Sequence, residues 1–187
     1  VRITKKGKPF ISQSKSQTHE VELSHDREKA FVLPANAPDP YLQAVGIMTN
    51  DGKIKANMQS KFKQINEYLR LVDETDSFRQ GSTQAFQALS GQPIHVVDFG
   101  CGNAYLTFAI YYYLHDILKL DAHVTGVDIK ADLIKSHQKK AQSLGWSQLN
   151  FVVGQIADYK PEIIPNVVIA LHACDTATDD ALAQGIQ

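Results

Sequence analysis

The chain has 187 residues, 43% of them hydrophobic, and a formal net charge of −1, which is typical of one globular domain with a substantial core. It contains no run of 18 apolar residues, so we expect no membrane-spanning helix and no membrane partner. The two cysteines, Cys101 and Cys174, lie in separate apolar segments, which argues against a disulfide framework. Because the first residues also lack an apolar leader, the sequence predicts a cytoplasmic protein, with its oligomeric state left open.

The charge is distributed unevenly along the chain. Residues 1–70 carry 12 Lys and Arg against 7 Asp and Glu, whereas residues 71–187 carry 7 against 13. A basic first part favours contact with a polyanion such as RNA. A merely uneven surface charge explains the same counts, so both interpretations stay open.

The first 75 residues contain one clear helical pattern. Residues 3–11 predict a hairpin that turns at Gly7, and residues 31–54, which contain three prolines, predict an extended connector. Apolar residues then recur every three or four positions, which predicts a helix over about 56–73. They are Met58, Phe62, Ile65, Leu69 and Val72. We therefore predict a basic N-terminal appendage over residues 1–75.

Strand and helix patterns alternate in the second part of the chain. Short β-branched runs predict strands at 94–99, 123–127, 150–153 and 166–171, and helices are predicted at 82–89, 105–118 and 131–144. Such alternation is typical of an α/β protein with a doubly wound parallel sheet. Residues 76–187 are thus predicted to form a Rossmann-like nucleotide-binding domain.

A glycine-rich turn follows the first of these strands. Asp98 ends the strand, and Gly100, Cys101 and Gly102 lead into the next helix. Glycines at such a turn let the backbone approach a ligand, while the N–H groups of the helix face it. The dinucleotide fingerprint requires a small residue where Tyr105 stands, so a nicotinamide cofactor is disfavoured.

The acidic residue, the two glycines and the following Ala104 resemble the first motif of class I S-adenosylmethionine (SAM)-dependent methyltransferases. The resemblance implies SAM as cofactor, bound by Asp98, Gly100, Cys101 and Gly102. It also implies a seven-stranded sheet with its first four strands in the order 3-2-1-4, so that this chain is expected to be truncated after the fourth strand.

Two further positions fit this resemblance. Asp128 ends the second strand, where a carboxylate can accept hydrogen bonds from ribose hydroxyls. Gln155 and Ile156 follow the third strand, where the class often has an Asp that binds adenine. Asp158 is an alternative partner for adenine. If Asp128 bound no ribose, it could cap the following helix.

The segment after the fourth strand narrows the resemblance. Residues 172–179 resemble the methyltransferase-32-like family, with a distant similarity to eukaryotic tRNA 2′-O-methyltransferases. The chain departs from the latter at Asp175, where they have Gly, and it lacks their Cys/His zinc cluster, so no metal is expected. His172 is a candidate general base, and Asp175 is a second catalytic candidate. A buried imidazole that holds the loop is the alternative for His172.

The helix over 56–73 resembles the one that precedes the first motif in this family. Gln64 is a candidate to contact the methionine carboxylate or amino group of SAM. Lys61 is a candidate to pair with a carboxylate. A solvated amphipathic helix is the alternative.

Together these features predict a SAM-dependent methyltransferase that acts on RNA, either tRNA or rRNA. Methyl acceptors of protein or small-molecule class remain alternatives. A non-catalytic module that keeps the SAM-binding fold and binds a partner is a further alternative.

Overall fold

The computed structural model describes residues 2–3, 9–10, 31–75, 78, 91–171 and 176–186. The chain divides into two compact units, Val1–Ala30 and Phe31–Gln187. In the first, strands β1 (Arg2–Ile3) and β2 (Pro9–Phe10) pair antiparallel, which confirms the paired ends of the expected hairpin. The domain boundary between residues 75 and 76 stays a prediction, and the expected helix at 82–89 lies outside the described residues.

The second unit alternates helices with parallel strands. Its elements are α1 (Pro40–Ala44), a 3₁₀ turn (Ala56–Met58), α2 (Gln59–Glu74), β3 (Ile94–Phe99), α3 (Tyr105–Tyr112), a π-helical turn (Tyr113–Ile117), β4 (Ala122–Asp128), α4 (Ala131–Ser143), β5 (Leu149–Val153), β6 (Val167–Ile169) and α5 (Thr176–Ile186).

Four parallel strands form the sheet, in the order β5-β4-β3-β6. This is the predicted order, third-second-first-fourth, and it confirms the α/β Rossmann-like class. Strand β3 is central, and five of its six residues are buried, as expected of a parallel strand covered on both faces. The strand ends at Phe99, and β4 ends beside it at Asp128. The residues that follow these two strands therefore meet at one edge of the sheet.

The connector before α2 differs from the expected extended chain, because it contains helix α1. Asp39 caps this helix through a 2.9 Å bond that its Oδ1 atom accepts from the Leu42 N–H, and Pro40 occupies the first turn. Proline has the φ angle of a helix start and no N–H to leave unpaired. The three prolines therefore indicated an extended segment where one of them begins a helix.

Helix α2 confirms the amphipathic pattern of the sequence. Phe62, Ile65 and Leu69 are almost fully buried in the main hydrophobic cluster, which also contains Val96 of β3. Helix α2 thus packs in the same core as the sheet, and one of its other faces carries Lys61 towards the glycine-rich turn.

Helix α3 is shorter than the predicted helix over 105–118. After Tyr112 the backbone widens into a π-helical turn, in which the Leu118 N–H donates to the Tyr113 carbonyl, and Lys119 then takes a φ of 57°. Residues 106–111 of α3 are all buried, so this helix has no polar face. Among the described residues, no helix is long and apolar enough to cross a membrane.

Candidate functional site

The glycine-rich turn has a backbone that favours glycine. Gly100 and Gly102 have φ angles of 67° and 51°, and Ala104 has 56°, a region that residues with a Cβ rarely adopt. The N–H groups of Gly100 and Cys101 donate to the Val127 carbonyl at 2.8 and 3.1 Å. The turn is therefore fixed to the end of β4 and leads directly into α3.

Helix α3 begins without a capping side chain. Ala104 occupies the N-cap position and makes no side-chain hydrogen bond. The first N–H groups of a helix lack partners within it and attract negative charge or acceptor atoms. At this turn they lie beside a cavity that Tyr105 and Leu106 help to line.

Asp128 binds the turn through its side chain. Its Oδ2 atom accepts from the Gly102 N–H at 2.8 Å, and its Oδ1 atom accepts from the Lys130 N–H at 2.9 Å. The second bond fixes the backbone just before α4, but among the described residues no side-chain capping bond is formed at the N-cap residue Lys130. A carboxylate can accept about four hydrogen bonds in all, so Asp128 retains capacity for the two hydroxyls of a ribose.

Asp98 is a buried carboxyl group, with 5% of its surface exposed. Its Oδ2 atom accepts from the Thr107 hydroxyl of α3 at 2.5 Å. Burial raises the pKa of Asp98 to about 7, the negative charge of Asp128 adds to this rise, and the bond from Thr107 opposes it. Asp98 therefore exchanges a proton near neutral pH and favours a cationic neighbour.

A cavity of about 270 Å³ lies between the turn and α2. Its lining residues are Lys61, Asp98, Cys101, Gly102, Asn103, Ala104, Tyr105, Leu106 and Leu171. The Lys61 ammonium lies 5.3 Å from the centre of the Tyr105 ring and donates to the Gln64 Oε1 atom at 2.6 Å. The cavity thus combines a carboxyl group that ionises near neutral pH with a cationic side chain and the first residues of α3.

Cys101 is buried in this turn. Burial raises the pKa of its thiol well above the usual range, and the charges of Asp98 and Asp128 raise it further. Since only the thiolate is a good nucleophile, Cys101 acts here as a small apolar group. It packs at Gly126, where an added Cβ would lie 3.1 Å from its Sγ atom and 2.8 Å from the Phe151 ring.

The structure brings some of the predicted site residues together. Asp98, Cys101 and Gly102 line the cavity, Gly100 forms the turn, and Asp128 is bonded to it. Gln64 contacts the cavity residue Lys61 but is not itself part of the lining. Their contacts with a cofactor stay predictions.

Gln155 and Ile156 lie at the end of β5, where the Gly154 N–H donates to the Asp128 carbonyl at 3.1 Å. The Gln155 side chain is exposed, whereas Ile156 packs on the cluster of Val97, Phe99 and Val127. Their predicted role at adenine remains open. His172, Cys174 and Asp175 lie outside the described residues.

His137 of α4 was not found by the sequence reasoning. It contacts the Gly102 carbonyl at 2.8 Å, although it is 35 residues away along the chain. Its spacing from Ile134 and Ala141, which are both buried, places it on the apolar face of α4. A histidine on an apolar helix face was the signal in the sequence that could have indicated a buried polar contact. In the described part of the chain, no group of His, Cys, Asp and Glu could hold a metal ion.

Comparison with solved structures gives several matches at low sequence identity. YjhP from E. coli is 19% identical, over 51% of this chain and 39% of that one, with a TM-score of 0.40. A SAM-dependent methyltransferase from Thiobacillus denitrificans, in complex with S-adenosyl-L-homocysteine, is 19% identical over 63% and 51%, with a TM-score of 0.39. Coclaurine N-methyltransferase, bound to N-methylheliamine and S-adenosyl-L-homocysteine, is 16% identical over 77% and 40%, with a TM-score of 0.47.

This chain thus spans between 39% and 51% of the length of these three structures. No curated protein sequence matches it significantly. The family model Methyltransf_32, described as a methyltransferase domain, matches residues 60–187. That match includes α2 from its second residue, the glycine-rich turn and all four strands of the parallel sheet, and the chain therefore belongs to this family of methyltransferase domains.

Proposed function

We propose that this chain binds SAM and forms the cofactor-binding part of a SAM-dependent methyltransferase. The observation that carries the proposal is the glycine-rich turn, whose Gly102 N–H is bonded to Asp128 beside a cavity that contains a buried Asp98. Membership of a methyltransferase family favours SAM over the other nucleosides that such a turn can accept.

The charges around the cavity suit the amino acid end of SAM. The ammonium and sulfonium groups of SAM are cations, which Asp98 would attract. The carboxylate of SAM would pair with Lys61. The ribose would lie at Asp128, and the adenine at the end of β5 near Gln155 and Ile156. Because SAM supplies an already activated methyl group, the residues of the protein mainly bind it, align the acceptor and remove a proton from the acceptor where one is lost.

RNA is the acceptor that we propose, with tRNA or rRNA as the substrate class. The excess of Lys and Arg in residues 1–70 supports it, since phosphate contacts dominate binding to nucleic acids. The resemblance of residues 172–179 to tRNA 2′-O-methyltransferases also supports it. His172 would accept a proton from the attacking group, with Asp175 beside it in sequence.

Calorimetric titration of the chain with SAM, S-adenosylhomocysteine and NAD tests the cofactor. We expect both sulfur nucleosides to bind and NAD to give no heat of binding. A chain that binds NAD, or that binds neither sulfur nucleoside, would overturn the proposal.

Transfer of a labelled methyl group from SAM to total RNA or to total protein tests the acceptor. Label in RNA is the expected result, whereas label in protein alone would show a protein substrate. If the cofactor binds and neither pool is labelled, the RNA proposal is overturned in favour of a small-molecule acceptor or of a binding module without transferase activity.

A further inference from the structure

His137 is a buried polar residue next to the proposed cofactor turn. It lies on the apolar face of α4 with 4% of its surface exposed. The ring of Phe108 from α3 lies 6.1 Å away and that of Phe151 from β5 lies 5.2 Å away, measured between ring centres. Its surroundings are thus mostly uncharged and apolar.

The two ring nitrogens of His137 differ in their contacts with the described part of the chain. The Nε2 atom lies 2.8 Å from the Gly102 carbonyl oxygen, which can only accept, so Nε2 carries the hydrogen. The Nδ1 atom is buried and has no hydrogen-bond partner among the described residues. In the neutral ring this atom is a bare acceptor, whereas in the charged ring it would carry an unpaired N–H.

Gly102 is therefore held on both sides of its backbone. Its N–H donates to Asp128 at the end of β4, and its carbonyl accepts from His137 of α4. These two bonds fix the peptide groups that flank a residue with a φ of 51°. The residue lines the cavity to which we assign the amino acid end of SAM.

We propose that neutral His137 is a positioning residue, which holds Gly102 in the conformation that binds the cofactor, and that protonation of its ring loosens the turn and weakens binding. This inference rests on the proposed function. A charged ring gains hydration by leaving the pocket between Phe108 and Phe151, and its departure releases the Gly102 carbonyl.

The groups around His137 favour its neutral form. Burial lowers the pKa of His137 below its usual 6.5, and Lys140 on the same helix lowers it further, while the Gly102 carbonyl and Asp128 oppose this shift. Since the lowered pKa lies below 6.5, the ring is neutral at pH 7. The affinity that depends on it is present above about pH 6.5 and is lost as the pH falls through the pKa of the folded protein.

The test is calorimetric titration of S-adenosylhomocysteine into the wild-type chain and into His137→Gln and His137→Phe, at about pH 7.5 and at a series of lower pH values down to the lowest at which the chains stay folded. The Gln amide replaces the Nε2 donor but cannot be protonated in this range, while Phe fills the space without a donor. At pH 7.5 we expect His137→Gln to bind within about threefold of wild type and His137→Phe about 5- to 30-fold more weakly.

As the pH falls below about 6.5, the wild-type chain should lose more affinity than His137→Gln. Both keep Asp98, so its titration cancels in this comparison. Equal losses in the two chains would overturn the inference, even if His137→Phe failed to fold. A folded His137→Phe that binds like wild type would overturn it as well. A wild-type chain that binds no S-adenosylhomocysteine at pH 7.5 would instead overturn the proposed function and the inference with it.

Discussion

Asp98 illustrates how burial changes the chemistry of one side chain. Its sequence position indicated a cofactor contact, but only the structure gives the burial and the neighbouring charge of Asp128 that raise its pKa to about 7. A cationic ligand in the adjoining cavity binds the ionised form more tightly than the protonated one. Ligand binding and proton release are therefore expected to be linked at this residue.

We predict that SAM affinity rises about fourfold between pH 6.5 and pH 8.5, since Asp98 ionises over this interval and attracts the sulfonium and ammonium groups. His137 is mostly neutral over this interval, because burial lowers its pKa below 6.5. The measurement is calorimetry at several pH values, with Asp98→Asn as the control that should bind weakly and with little pH dependence. A similar rise in Asp98→Asn would show that another group is responsible.

Gly126 gives a test of packing at the base of the turn. A Cβ at this position would lie 2.8 Å from the Phe151 ring and 3.1 Å from the Cys101 Sγ atom. Gly126→Ala is therefore expected to lower the free energy of unfolding by about 1–3 kcal/mol through overpacking. In Gly154→Ala the nearest atom is 3.8 Å away, so this variant should unfold in urea close to wild type. Equal midpoints for both variants would contradict the close contact.

At the scale of elements, α2 is stabilised mainly by the face that the sequence pattern identified. Leu69→Ala removes a fully buried side chain and should cost about 2–5 kcal/mol of unfolding free energy. Leu71→Ala is the matched control, because Leu71 is 52% exposed, and it should cost less than about 0.5 kcal/mol. Urea unfolding measures both free energies. Similar losses in the two variants would contradict the packing of α2 through its Leu69 face.

Helix α1 depends on Asp39, which joins two elements. Its carboxylate accepts from the Leu42 N–H at 2.9 Å and from the Tyr112 hydroxyl of α3 at 2.7 Å. Asp39→Ala should lower the unfolding free energy by about 2–3 kcal/mol, and Tyr112→Phe by about 1–2 kcal/mol. Because they share one bond, the double variant should lose less than the sum. Strictly additive losses would indicate that the bond contributes nothing.

The sequence predicted the sheet well because its signals are local. Buried strands such as β3 appear as β-branched runs, and the class resemblance gave their order. Helix α1 was missed because prolines indicate both an extended chain and a helix start, and the π-helical turn after Tyr112 has no periodicity that would distinguish it from α-helix.

The site was predicted only in part, for a related reason. Gly100 and Gly102 belong to a motif with fixed spacing and Asp128 ends the following strand, so their sequence positions suffice to propose them. The contact of His137 with Gly102 joins residues far apart in the chain, and only the packing of α4 on the sheet reveals it. The same holds for the raised pKa of Asp98.

On the scale of the whole molecule, the proposed site belongs to no single element. Strand β3 supplies Asp98, β4 supplies Asp128, α4 supplies His137 and α2 supplies Lys61, and all of them converge on the turn between β3 and α3. The family match covers all of these elements. Binding of the cofactor is therefore expected to stabilise the sheet and its helices together.

The affinity of S-adenosylhomocysteine for Asp128→Ala, compared with the wild-type chain, tests the proposed cofactor site most directly. Asp132→Ala is the control, because Asp132 is an exposed carboxylate in the first turn of α4. We predict that Asp128→Ala loses about 1–3 kcal/mol of binding free energy, or about 5- to 150-fold in affinity, and that Asp132→Ala stays within about twofold of wild type. An Asp128→Ala chain that binds as tightly as wild type would contradict the assignment of this turn as a SAM site.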